Sequence, residues 1–300
     1  MTTWQFIKKR IIRLHPMLIL SVLFGAIAYL LQGSTMWNGT HVAFKYVILS
    51  LILGLFLIPA IPNTKMEIRG NGEMFPLNGP SWTLFFEYIG SLLYALILHK
   101  LNKKALSTVV IISAICLSTI GFMNFTGFNY LGIGWSMGDL GFIGGFCRLS
   151  FSFSAGILLS RCFKKREIRG SFWICSLLIA VALSCPYIGN GTPSSLNTIY
   201  ELFCILFLFP AIVYIGACGK TQKGIYKTIC NFIGNISYPI YIIHYPIMYL
   251  FYSWVWQHNY SFSEVWQVCV ILLFVIIAMA WAALKFYDTP VRKFLSRKFL

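Results

Sequence analysis

One acid, Glu87, sits inside the otherwise apolar stretch NGPSWTLFFEYIGSLLYALILHK, residues Asn78 to Lys100. A charge at the centre of a membrane helix costs about 2.5 to 3.5 kcal/mol on insertion scales, so such a residue faces a cavity or a partner. At helical spacing Thr83, Glu87, Ser91 and Tyr94 fall on one face, while Leu84, Phe85, Leu92 and Leu96 cover others. Two readings fit Glu87: a structural ion pair or protonated acid bonded to a neighbouring helix, or a residue that orients a substrate or a catalytic histidine. A second polar stripe lies in NISYPIYIIHYPIM, where Ser237, Tyr241, His244 and Met248 follow one another at steps of four, three and four. Pro239 and Pro246 interrupt the backbone bonding around it and free carbonyls. The imidazole is either a hydrogen-bonded core group or part of a site.

Two groups of arginines have the chemistry to bind anions. Arg148, in GFCRLSFSFSAGILLSR, has glycines at 141, 144 and 145 nearby; it serves structural pairing with Glu87 or Asp139, or anion binding. Arg10 and Arg13, in FIKKRIIRLHP, sit three apart ahead of Pro16. Guanidinium groups suit planar, bidentate phosphate contact better than lysines do. A substrate phosphate and an anionic lipid headgroup fit that geometry equally.

The elements that hold these residues are membrane helices. Of 300 residues, 58% are hydrophobic and 11% are charged, and the mean hydropathy is +0.75. That is far from the usage of water-soluble domains. The net charge of +16 is spread over short clusters between apolar runs, at 8–13, 100–104, 161–169, 220–227 and 292–298. This is the pattern of cytoplasmic loops under the positive-inside rule, and it argues against nucleic acid. Nine cysteines lie mostly inside the apolar runs, without C-x-x-C or Cys/His ligand spacing. They read as buried thiols, with no metal site.

Nine apolar runs appear, near 14–32, 42–60, 81–99, 105–122, 140–161, 171–185, 196–218, 232–252 and 265–286. The loops near 33–41, 123–138, 186–195 and 253–264 carry no Lys or Arg and read as exterior, whereas both basic termini read as cytoplasmic. Equal sidedness of the termini requires an even number of crossings. The expected fold is therefore an all-α, polytopic transmembrane helical bundle of about eight full crossings plus one partial or re-entrant element. The odd element falls in the segment from about 59 to 82, because irregular backbone at membrane depth is tolerated only where protein or a watery cavity satisfies it. The first run has the basic start of a signal peptide, but it continues past Ala28 and reads as a retained helix. No repeat or linker divides the chain, which reads as a single integral-membrane domain over 1–300.

In their order, FIKKRIIRLHP, NGPSWTLFFEYIGSLLYAL, RLSFSFSAGILLSR and IGNISYPIYIIHYPI resemble the membrane-bound acyltransferase 3 family, which includes O-acetyltransferases of bacterial surface polysaccharides. The second stretch is similar to the family's W-S-L-x-x-E motif, with Thr83 where Ser is commoner. The fourth is similar to its S-Y-x-x-Y-x-x-H motif at Ser237, Tyr238, Tyr241 and His244. The resemblance implies transfer of an acyl group, usually acetyl, from acyl-CoA as donor substrate to a hydroxyl of a surface glycan such as O-antigen or exopolysaccharide. No bound cofactor is implied. The partners would be the lipid bilayer, acyl-CoA and a glycan or lipid-linked sugar acceptor, and the location the bacterial inner membrane.

The resemblance also implies roles. Glu87 and His244 would be catalytic; Arg10 and Arg13 would meet the CoA phosphates; Trp82, Arg148, Ser237, Tyr238 and Tyr241 would shape the substrate cavity. Family members usually begin with two further helices, the first carrying the histidine regarded as the base. This chain starts at the basic segment that follows them, so an N-terminally truncated, possibly inactive acyltransferase is the expectation. The rival expectations are a transporter or flippase of a lipid-linked sugar, whose charges would line a pathway, and a non-catalytic membrane remnant.

Overall fold

The computed structural model describes residues 2–164, 166–189, 194–220 and 224–300, without the side chain of Asp139. Among them every regular element is helical, and the only β features are three isolated bridges. In chain order the helices are α1 (Thr3–Leu31), α2 (Phe44–Leu55), α3 (Ser81–Leu96), α4 (Lys103–Met123), α5 (Asp139–Cys162), α6 (Ser171–Ser184), α7 (Ser195–Phe203), α8 (Phe209–Ala217), α9 (Ile225–His258), α10 (Phe262–Ala283) and α11 (Thr289–Phe299). A π-turn, Cys204–Leu208, joins α7 to α8, and another, Leu284–Asp288, joins α10 to α11.

Each of the nine apolar runs carries a helix. Among the described residues five helical spans, against the eight crossings expected, are long and apolar enough to cross a membrane: Thr3–Leu31, Lys103–Met123, Leu140–Cys162, Ser195–Ala217 and Phe262–Phe299. Helices α2 and α6 are apolar but shorter. The protein is an all-helical integral membrane protein. Local signals set the helix starts: Thr2 and Gln5 form a reciprocal capping box on α1, and the Asn102 side chain accepts from the Ala105 amide at 2.8 Å to begin α4. Both satisfy amides that a helix start leaves without intrahelical partners.

The chain forms two compact units. The first comprises Met1–Ala95, Trp135–Gly138 and Thr228–Leu300. Its core joins Met17, Leu18 and Val22 of α1, Leu84 of α3, Ile242 and Ile243 of α9 and Ile276 of α10. The directions follow from paired contacts. Thr3 Oγ1 donates to the Ala95 carbonyl and Arg10 reaches Glu87, so α3 runs against α1. Tyr238 donates to the Leu14 carbonyl, whereas Trp37 packs on Tyr249 and Trp256, so α9 runs with α1.

Between α2 and α3 the chain is irregular, and it is packed rather than loose. The Tyr29 hydroxyl donates to the Ile68 carbonyl at 2.6 Å, and the Asn78 amide donates to Ser21 Oγ at 2.8 Å and to the Ile242 carbonyl at 3.0 Å. The segment thus descends along α1 from the level of Tyr29 to that of Ser21 before α3 begins. Close approach explains two glycines. A Cβ on Gly25 would run into the Leu77 carbonyl, and one on Gly79 would meet Tyr245 Cε1 at 2.7 Å and the Tyr249 hydroxyl at 2.8 Å.

The second unit comprises Leu96–Gly134 and Asp139–Lys227. Its core joins Leu117 and Ile120 of α4, Phe151 of α5, Leu202 of α7 and the loop residues Leu131 and Ile133. Arg161 binds the carbonyls of Leu98, His99 and Leu101, and Lys220 pairs with Glu167 at 2.7 Å. Three basic clusters therefore gather at one end of this unit.

Candidate active site

Most of the residues singled out by their chemistry lie in the first unit, on α1, α3 and α9. Glu87 on α3 pairs with Arg10 on α1, Nη1 to Oε1 at 3.3 Å, with about a third of each side chain exposed (32% and 37%). The Arg10 guanidinium also lies 5.3 Å from the centroid of the Phe6 ring, and that ring packs on Tyr94 at 5.4 Å. The polar stripe of α3 is thus turned toward the first turns of α1. Arg13 is exposed and makes no side-chain hydrogen bond or ion pair among the described residues. The R-x-x-R pair is split, one guanidinium held by an acid and the other open.

The α9 stripe meets α3 one turn further along. Thr83 Oγ1 lies 2.6 Å from the Tyr241 hydroxyl and 2.9 Å from the Pro80 carbonyl. The Tyr241 hydroxyl also reaches the Pro80 carbonyl, at 3.4 Å, so the two hydroxyls share that one acceptor and either can donate to the other. His244 follows one turn beyond Tyr241, half-buried. Its Nδ1 is 2.8 Å from the Tyr241 carbonyl and 3.1 Å from the Ile240 carbonyl. Those acceptors require the proton on Nδ1, which leaves the Nε2 lone pair as the basic atom of the neutral ring. Among the described residues Nε2 has no partner.

Ser237 is exposed and bonds the Gly234 carbonyl of its own helix. Tyr238 crosses to the Leu14 carbonyl at 2.7 Å, fixing α9 on α1 just past Arg13. Trp82 packs edge-on to Phe86 at 6.1 Å. Glu87 and His244 do not touch. They lie four and three residues from the Thr83 and Tyr241 contact, on antiparallel helices and in opposite directions, so at 1.5 Å per residue they are about 10 Å apart along the axis. Arg148 belongs to the second unit, where its Nη1 donates to the carbonyls of Ile133 at 3.1 Å and Leu131 at 3.3 Å.

Residues without a helical-stripe signal complete this unit. Arg69 is fully buried; its guanidinium stacks over Tyr249 at 3.5 Å, faces Trp37 and Tyr29 at 4.8 and 5.1 Å, and donates to the Pro76 carbonyl and to Gln32 at 3.1 Å. Glu73 accepts from the Tyr249 hydroxyl and from Asn71. The available signal was an arginine and two acids in an otherwise apolar region, EIRGNGE, read only as part of an irregular segment. No cluster of potential metal ligands occurs among the described residues.

The first unit thus holds an imidazole with an open Nε2, a phenol bonded across two helices and an arginine without a side-chain partner among the described residues. A family model described as an acyltransferase domain, that of acyltransferase 3, matches residues 1–284. The chain belongs to this family of acyltransferases. No curated protein and no solved structure matches it.

Proposed function

We propose that the protein transfers an acyl group, acetyl in the first instance, from acyl-CoA to a hydroxyl of a surface glycan or its lipid-linked precursor. The observation that carries this reading is the His244 ring, whose Nδ1 is committed to backbone carbonyls and whose Nε2 is open. A sugar hydroxyl is a poor nucleophile until a base takes its proton. His244 Nε2 accepts that proton as the sugar oxygen attacks the thioester carbonyl; the oxyanion then collapses, the carbon–sulfur bond breaks, and the thiolate of CoA leaves and takes the proton. The Tyr241 hydroxyl, bonded to Thr83 one turn from His244, is the donor that meets developing negative charge. Ser237, Tyr238 and Trp82 shape the substrate cavity in this reading.

Arg13 meets the donor phosphates, and Glu87 keeps Arg10 in place beside it. Glu87 therefore acts through Arg10 rather than on the reacting atoms. Arg148 serves the acceptor side. Within the first unit Lys8 reaches the Phe299 carbonyl, so the two basic termini lie together, which supports cytoplasmic termini; we read the chain as about eight crossings plus the packed irregular segment before α3. We read residues 1–300 as one such domain in a bacterial inner membrane.

The test is a proteoliposome assay with acetyl-CoA labelled in the acetyl group and surface polysaccharide as acceptor. Label is expected on the glycan, with a loss of about 10²- to 10⁴-fold in kcat for His244→Ala. Glycan that crosses the bilayer with no label attached would replace the enzyme by a carrier.

A further inference from the structure

The second unit contains a cavity of about 430 Å³ that the α3 and α9 motifs do not reach. Arg148 of α5, Asn197, Tyr200 and Glu201 of α7, and Tyr130 and Tyr187 of the flanking loops line it. Its floor includes Cys204, where the helix departs into the π-turn. Such turns are frequent at functional sites, because the extra residue frees a backbone group.

The lining is selective in what it leaves available. The Tyr187 hydroxyl is committed to the Phe128 carbonyl at 2.6 Å and the Tyr200 hydroxyl to the Ala182 carbonyl at 2.9 Å, so both tyrosines line the cavity with their hydroxyl hydrogens already spent. Asn197 is buried and spends its amide on the Ile188 and Ser194 backbone. Glu201 differs. Its Oε2 accepts from the Leu131 amide at 2.5 Å, which fixes the carboxylate, while Oε1 accepts from no described residue. Arg148 grips the carbonyl of the same Leu131. An acid and a base are thus both anchored on the Leu131 backbone at the cavity wall.

This set discriminates among ligands. An acyl chain would offer Glu201 Oε1 no hydrogen-bond donor. A phosphate would meet that carboxylate's like charge. A neutral ring bearing adjacent hydroxyls on a C–H face satisfies all of it: the hydroxyls donate to Glu201 Oε1 and accept from Arg148, and the C–H face lies on a tyrosine ring.

We propose that this cavity is a saccharide-binding site, with Glu201 as its principal acceptor and Arg148 as donor. As a site of acceptor recognition it rests on the glycan reading above; as a binding site it stands on its own.

Saturation-transfer NMR on the protein in nanodiscs tests it, with free glucose, galactose, rhamnose and N-acetylglucosamine as probes. At least one sugar is expected to bind the unaltered protein, and Glu201→Gln, which keeps an acceptor for the Leu131 amide, is expected to weaken it about tenfold. Tyr187→Ala, at an exposed position, is expected to weaken it as well. Absence of saturation transfer from every sugar, equal binding in both variants, or a signal that tracks anionic lipid content instead of sugar overturns the proposal. Labelled acetyl transfer in the same preparations separates the two readings. Unchanged acylation and sugar binding in both variants sink the cavity alone, whereas variant-sensitive sugar binding by a protein that acylates nothing sinks the acyltransfer reading alone.

Discussion

The Tyr241 hydroxyl and Thr83 Oγ1 share a hydrogen bond of 2.6 Å, joining two helices whose residues are 158 positions apart in the chain. Thr83 is tied in turn to the Pro80 carbonyl, so the α9 phenol is referenced to the first turn of α3. His244, one turn along, takes its position from that link. Thr83→Val and Tyr241→Phe are each expected to lower acyl transfer and to cost about 1 kcal/mol of stability. The double variant should cost little more than either alone, since both remove the same bond. Thermal unfolding in detergent and labelled acetyl transfer check this, and full additivity would dissolve the link.

Arg10 and Arg13 should separate by readout. Arg10→Ala removes a partly exposed ion pair, so its stability cost is small, below about 1 kcal/mol, and it should not add to that of Glu87→Gln. Arg13→Ala should leave stability unchanged and raise KM for acyl-CoA several-fold. Steady-state kinetics with varied acetyl-CoA decide between a phosphate contact and a purely topological arginine.

The Arg69 stack should tolerate no substitution. Arg69→Ala vacates a fully buried volume among Tyr29, Trp37 and Tyr249 and strands the Pro76 carbonyl, a loss on the order of 3 kcal/mol or more. Arg69→Lys should rescue little, because an ammonium lacks the planar face and the fork of donors. Fluorescence-detected size-exclusion after heating is the measurement, and a lysine variant as stable as the parent would contradict it.

Two glycines should respond in opposite directions. Gly79→Ala forces a methyl into Tyr245 and the Tyr249 hydroxyl and should destabilise by about 1 to 3 kcal/mol. Gly156→Ala, on α5 with open space around it, should be neutral or stabilise by up to about 1 kcal/mol, because glycine is the poorer helix former. Paired thermal shifts check the contrast.

Much of this was legible in the residues. Uninterrupted apolar runs mark helices because each must satisfy its own backbone in lipid, and nine of nine runs carry one. The irregular segment before α3 was legible too, from its glycines, prolines and asparagines. The grouping of the polar residues was not. Glu87 and His244 share no contact although each lies on a polar stripe, and Arg148 binds the Leu131 and Ile133 backbone within the second unit. A stripe shows which way a side chain faces on its own helix; it carries no information about the height at which a neighbouring helix crosses it. The Arg69 stack left no stripe at all, since its partners come from two helices and two loops.

From residue order alone come the membrane class, the helical content and the family, because hydropathy, charge clustering and short motifs are properties of contiguous chain. Tertiary structure alone decided that Glu87 holds Arg10, that Tyr241 reports to Thr83, and that Glu201 is left with an open oxygen in a cavity. Those outcomes depend on how segments distant in the chain pack together, as where Gly25 of α1 admits the Leu77 carbonyl.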